Sequence, residues 1–134
     1  MAKSKKKEES SAEANAEFQK VKKATLALLK RPLADLSSED IDEMFCGIAE
    51  ICRRQGGKPL KKLSEGTHEG PLKDALRLMG DGTVPEITND VLRNGFDSIL
   101  REMEIKHLKV IEGILALEVG TNPRLVRQKL AAIY

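Results

Sequence analysis

Apolar residues recur at the three- and four-residue spacing of a helix along most of this sequence, and proline and glycine residues mark where each pattern starts and stops. Pro71, Pro85 and Pro123 each stand at the start of a pattern, where the missing amide of proline is least harmful to a helix. Gly56–Gly57 and Gly120 follow the ends of two patterns, as glycine commonly does at helix termini. No segment has a convincing strand pattern. The sequence therefore predicts an all-α fold, a small helical domain of about five helices with short loops.

The predicted helices fill a single domain over residues 16–134, after a polar tail over residues 1–15 that we expect to be disordered. Ser37 and Asp40 have the spacing of a capping box at the start of the second helix, and Asn122 is expected to cap the last one. Lys58–Gly70 contains several helix breakers and is predicted to be a loop. The helices are expected at about residues 16–30, 38–55, 71–79, 85–119 and 123–133.

Composition limits the kind of core and the compartment. Aromatic residues make up only 3% of the chain, so the core must be aliphatic. Cys46 and Cys52 are six residues apart and lean to opposite faces of a helix, where they cannot bond to each other. Both are expected to be small buried side chains in a reducing cytosol. A membrane span needs about 20 consecutive apolar residues, and runs such as Ile114–Leu117 fall far short. We therefore expect a soluble cytoplasmic chain.

No arrangement of residues indicates catalysis. His68 and His107 each stand alone, without a second ligand at metal-binding spacing. Gly80–Thr83 resembles a phosphate-binding loop only superficially, because it lacks the Lys-Ser/Thr pair and a preceding strand. No serine or cysteine nucleophile has a recognisable base. We expect no catalytic residue, no metal and no cofactor, and we do not expect an enzyme.

One basic segment stands out, because it holds five cations with no acid between them. They lie at a predicted helix end and in the segment after it: Arg53, Arg54, Lys58, Lys61 and Lys62. One interpretation is a solvated surface, with cations favourable near a helix C-terminus. The other is a docking surface for an acidic partner, on which such charges act on rate and specificity.

Three segments together have a recognisable order of motifs. In Gly70–Glu86 an apolar helix is followed by Asp-Gly and then by a Pro-Glu helix start. In Val110–Leu130 an apolar helix is followed by Gly120 and by Asn-Pro-Arg, and Ile48–Gly57 ends a helix in charged residues and two glycines. These patterns resemble the cytoplasmic portions of flagellar stator proteins of the MotA/PomA family. The segment of about residues 22–100 is similar to the loop between the second and third membrane spans of that family. The segment of about residues 108–134 is similar to the tail after the fourth span.

The sequence departs from that family in two ways. The two spans that separate the cytoplasmic portions are missing, and the portions are joined somewhere between about Asp97 and Leu108. The family usually has an acidic residue shortly after the two glycines, where this chain has Lys61 and Lys62. Arg54 matches a rotor-facing charge of the family, and Glu65 matches one more weakly.

The resemblance implies a function in flagellar rotation, and so in motility and chemotaxis. The chain would be the torque-transmitting part of a stator, contacting a rotor switch protein (FliG-like) through charged residues, without ion conduction of its own. A full-length parent would lie in the bacterial inner membrane beside a MotB-like partner that carries the ion path. The residues expected to bind the partner are Arg53, Arg54, Lys58, Lys61, Lys62 and Glu65.

Two other functions remain open on the sequence. One is a generic helical adaptor that binds an acidic protein outside motility. The other is a small nucleic-acid-binding domain, whose affinity would fall steeply with salt. That domain would use the last helix together with the helix end at residues 53 and 54, through Arg124, Arg127, Lys129, Arg53 and Arg54.

Overall fold

The computed structural model describes the backbone of residues 2–134 and the side chains from Ser11 onward. In this part of the chain the fold is all-α, as predicted, with short connections and no strand. A short 3-10 turn, Leu33–Asp35, follows the first helix. The helices are α1 (Ala2–Leu29), α2 (Ser38–Gln55), α3 (Pro59–Glu65), α4 (Pro71–Gly80), α5 (Pro85–Glu118) and α6 (Pro123–Ala131).

The predicted helix caps are confirmed. The Ser37 hydroxyl accepts a hydrogen bond from the Asp40 amide, and the Asp40 carboxylate accepts one from the Ser37 amide, both at 3.1 Å. This reciprocal pair satisfies amides that the first turn of α2 leaves free. Gly56 then ends α2 with a φ of 73°, a conformation that glycine adopts without strain. Asn122 caps α6 by accepting from the Leu125 amide at 3.0 Å.

Two predicted boundaries are wrong. Pro59–Glu65 forms α3, where a loop was predicted, because Pro59 starts the helix and Leu60 and Leu63 are buried one turn apart. α1 begins at Ala2 rather than at Ala16, and alanine, lysine and glutamate in this stretch all favour a helix. The expectation that residues 1–15 are disordered falls partly on residues 1–10, whose side chains lie outside the described ones, and it stays a prediction. Side chains 11–17 are all exposed.

The chain forms two compact units, Met1–Leu92 and Arg93–Tyr134, where the sequence suggested one domain over residues 16–134. The first unit has a core to which α1, α2, α3 and α4 all contribute. Leu29, Met44 and Ile51 are its most completely buried large side chains. The core is aliphatic apart from a single aromatic ring, and its members are Phe18, Leu29, Met44, Ile48, Ile51, Leu60, Leu63 and Leu76.

α1 and α2 approach closely where Gly47 lies against Thr25. A β-carbon at Gly47 would overlap the Thr25 hydroxyl, so glycine is the residue that this contact admits. The Thr25 hydroxyl is buried and donates to the Val21 carbonyl at 2.8 Å, so its polar group is satisfied within α1. A satisfied buried hydroxyl can lie at a helix contact without a desolvation penalty.

The exposed side of α2 corrects two expectations. Cys46 is exposed and Cys52 is only half-buried, although both were predicted to be buried. Phe45, on the same helix, is 49% exposed. The inward face of α2 is instead centred on Met44 and Ile48, and the intervening positions turn outward with the helical period. Partial burial raises the pKa of the Cys52 thiol above its ordinary value by desolvation.

The second unit contains the later part of α5 together with α6. Ala116 of α5 is buried. Leu117 on α5 and Val126 and Leu130 on α6 line an open depression. The unit therefore has far less buried apolar surface than the first.

We expect Gly47→Ala to lower the free energy of unfolding by about 1–3 kcal/mol, the usual effect of adding a methyl group to a tightly packed contact. Urea unfolding followed by circular dichroism measures this change. Gly57→Ala is the matched control, because a β-carbon there has no neighbour within 4 Å. The loss should be smaller in a Thr25→Ala background, where the hydroxyl is gone. An equal loss in both backgrounds would contradict the packing explanation.

Candidate functional site

The candidate site is the solvent-facing side of α3. The opposite side of this short helix is buried through Leu60 and Leu63, which belong to the core of the first unit. Residues three, four and seven apart share one face of a helix. At that spacing the structure brings together on the exposed side four of the residues predicted to bind a partner, which we name the α3 basic face: Lys58, Lys61, Lys62 and Glu65.

Lys61 is held by the end of α4. Its ammonium lies 3.1 Å from the carboxylate of Asp81. The backbones also meet here, since a β-carbon at Gly80 would lie 3.0 Å from the Lys61 amide nitrogen. Among the side chains that the structure describes, Lys58 and Lys62 make no ion pair. These two ammonium groups are therefore the cations of the α3 basic face that no described acid neutralises.

Arg53 and Arg54 lie at the end of α2 and share one carboxylate. The Arg53 guanidinium donates to both oxygens of Glu50, at 2.7 and 3.1 Å, and the Nε of Arg54 donates to Glu50 at 3.1 Å. These hydrogen bonds, from Arg53 first and then Arg54, lower the pKa of Glu50 to about 2. The Arg54 guanidinium also lies over the Phe18 ring, 4.8 Å from its centre, in cation–π geometry.

The six residues predicted to bind a partner therefore fall into two groups. On the α3 basic face Lys58 and Lys62 make no ion pair among the described side chains and Lys61 pairs with Asp81, whereas Arg53 and Arg54 both pair with Glu50. Sequence reasoning missed the acids that pair with these cations. Glu50 could have been found, because it precedes the arginines by three and four residues, the spacing of helical ion pairs. Asp81 is far from Lys61 in the sequence and gives no such signal.

The histidines do not form a site with other ligands. The His68 amide donates to the Leu29 carbonyl at 2.8 Å, so this residue ties the segment after α3 to the end of α1. His107 lies exposed on α5. Within the described side chains, no group of three His, Cys, Asp or Glu residues is close enough to hold a metal ion.

No protein-family model, curated protein or solved structure matches the chain. The resemblance to stator proteins therefore depends on the motifs quoted above. In the described part of the chain, no helix has both the length and the apolar character needed to span a membrane.

The lowered pKa of Glu50 predicts how the stability of the first unit depends on pH. Its pKa is about 2 in the folded chain against an ordinary value of 4.5. The stabilisation by ionised Glu50 is thus fully present above about pH 4.5 and is lost as the pH falls towards 2. We expect Glu50→Gln to be less stable than the natural chain at neutral pH, and the difference to vanish across that window.

Urea unfolding at a series of pH values tests this expectation. Glu17→Gln is a suitable control, because Glu17 is exposed on α1 and has no ion pair among the described residues. Its stability should follow that of the natural chain at every pH. A difference between Glu50→Gln and the natural chain that stays constant down to pH 2 would contradict the role of the ionised carboxylate.

Proposed function

We propose that this chain is a helical protein-binding module that docks an acidic protein surface on the α3 basic face. Following the resemblance to the stator family, we propose that the partner is a rotor switch protein and that the contact transmits torque. The observation that supports this most is the pair of exposed ammonium groups, Lys58 and Lys62, which lie one helical turn apart and make no ion pair among the described side chains. The proposal concerns the rotor contact and not ion conduction.

The way α3 is anchored favours binding. Burial of Leu60 and Leu63 orients the helix, and the close contact between Lys61 and Gly80 holds it against α4. A surface whose backbone is already ordered loses little conformational entropy when a partner docks. Two cations on such a helix are thus better placed for recognition than the same cations on a flexible loop.

The expected contact is weak and depends on salt. An exposed ion pair contributes about 0–1 kcal/mol, and screening at physiological ionic strength acts over about 8 Å. Exposed charges chiefly raise the rate of encounter and select the partner. A contact of this kind forms and breaks readily, which suits a stator that must engage successive positions on a turning rotor.

The arginines at the end of α2 have a supporting part in this proposal. Glu50 neutralises much of their charge, and Arg54 is also held against Phe18. Reversal of Arg54 would therefore remove an ion pair and a ring contact inside the first unit, and would not test partner binding alone. The lysines of the α3 basic face give the cleaner test.

We expect Lys58→Glu with Lys62→Glu to weaken binding to a rotor switch protein roughly tenfold or more at low salt, since each reversal replaces an attraction by a repulsion of similar size. Isothermal titration at low and at physiological salt measures the affinity. The control is Lys20→Glu with Lys23→Glu on α1, which changes the net charge equally at two exposed positions outside the α3 basic face.

Three results would count against the proposal. Equal losses in both double variants would mean that net charge, and not the α3 basic face, governs binding. Failure of the natural chain to bind at low salt would exclude the rotor switch protein as the partner. Tighter binding to DNA or RNA than to the protein would favour a nucleic-acid-binding domain instead.

A further inference from the structure

The part of α5 within the second unit exposes a row of large apolar side chains. Val110 and Leu117 are 64% and 66% exposed, and even Phe96 is 37% exposed. Ala116, which is buried, lies on the opposite side of the same helix. We name the exposed row the α5 stripe; its members are Phe96, Ile99, Leu100, Met103, Val110, Ile111, Ile114 and Leu117.

The α5 stripe has a seven-residue repeat. Four side chains recur at intervals of seven residues: Phe96, Met103, Val110 and Leu117. Ile99 lies three residues after Phe96, where a seven-residue repeat has its second apolar position. A seven-residue apolar repeat keeps one seam of a helix turned towards a partner helix. The repeat covers about 32 Å of helix at 1.5 Å per residue. A partner of matching length and character is another α5.

We propose that the α5 stripe is an interface for a second copy of this chain, with the two α5 helices packed antiparallel. When the helices cross between residues 106 and 107, three layers on each side of the crossing join apolar side chains of the two copies, and Lys106 of each copy lies beside His107 of the other at the crossing itself. Phe96 then lies opposite Leu117 of the second copy, Ile99 opposite Ile114, and Met103 opposite Val110. This arrangement follows from the sequence order alone and pairs six members of the α5 stripe with one another, while Ile111 lies opposite Glu102.

The parallel alternative is disfavoured by Gly113. In a parallel pair in register, Gly113 would meet Gly113 of the second copy. That layer would leave a void. In the antiparallel pair Gly113 faces Leu100, so a small residue meets a large one.

Charges beside the seam also fit the antiparallel pair. Glu102 and Lys109 lie on the same flank of the α5 stripe, seven residues apart. In an antiparallel pair this flank of one copy faces the same flank of the other copy. Glu102 of each copy therefore lies beside Lys109 of the other copy. Neither residue makes an ion pair among the described side chains. Lys106 can extend its methylene stem along the seam with its ammonium in water.

The exposed area is of the size that a dimer needs. Side chains of this kind, about half exposed, each present on the order of 80–100 Å², so the α5 stripe presents roughly 700 Å² per chain. A specific interface buries roughly 800 Å² per partner. An apolar patch of this size is large for a monomer and marks an interaction surface.

Sedimentation velocity over a range of concentrations tests the dimer. We expect a mass approaching twice the 14.8 kDa of the chain at high concentration, falling on dilution. Val110→Glu, at the centre of the seam, should shift the equilibrium to monomer by at least tenfold. Leu108→Glu is the matched control, since Leu108 is also exposed on α5 but lies away from the α5 stripe. Unchanged circular dichroism would show that both variants keep their helices.

Cross-linking tests the orientation. In a chain with Cys46→Ser and Cys52→Ala, mild oxidation of an equal mixture of Ile99→Cys and Ile114→Cys chains should give the mixed disulfide. Each variant alone should give little. Preferred linkage of Ile99→Cys chains to one another would overturn the antiparallel arrangement, and a monomer at every concentration would overturn the interface. This inference concerns the second unit only, so its failure would leave the proposed role of the α3 basic face standing.

Discussion

The contact between Gly47 of α2 and Thr25 of α1 allows these two helices to approach closely, and the first unit is arranged around that approach. With the helices together, Leu29 of α1 and Met44 and Ile51 of α2 are completely buried. Leu60 and Leu63 of α3 complete the same core. A larger residue at position 47 would separate the helices and so loosen the side of the core on which α3 rests.

The orientation of α3 connects this packing to the proposed function. Burial of Leu60 and Leu63 fixes the inner side of α3, so the lysines lie together on its outer side. Pairing then decides which of the cations can act on a partner. Asp81 and Glu50 hold Lys61 and the two arginines, whereas Lys58 and Lys62 have no acid of their own among the described residues. The proposed docking surface is thus smaller than the basic segment in the sequence.

The sequence predicts the helical class and most helix ends well, because caps such as Ser37 and Asn122 and stops such as Gly56 are local signals. It misses α3 because that helix is short and stands among breakers, and its formation depends on burial of Leu60 and Leu63 by other helices. Ion pairs between distant residues are also invisible to it. The helical spacing of Phe96, Val110 and Ile114 is visible in the sequence, but spacing alone does not tell whether such a face is covered by the same chain or by another one.

Nuclear magnetic resonance titration of the labelled chain with a rotor switch protein locates the partner contact without changing any residue. We expect amide shifts at low salt to change first in α3 and its flanks, over residues 57–66 and around Asp81, and the changes to recede as salt is added. Shift changes centred on α5 or α6, or none at all at low salt, would contradict the assignment of partner binding to the α3 basic face.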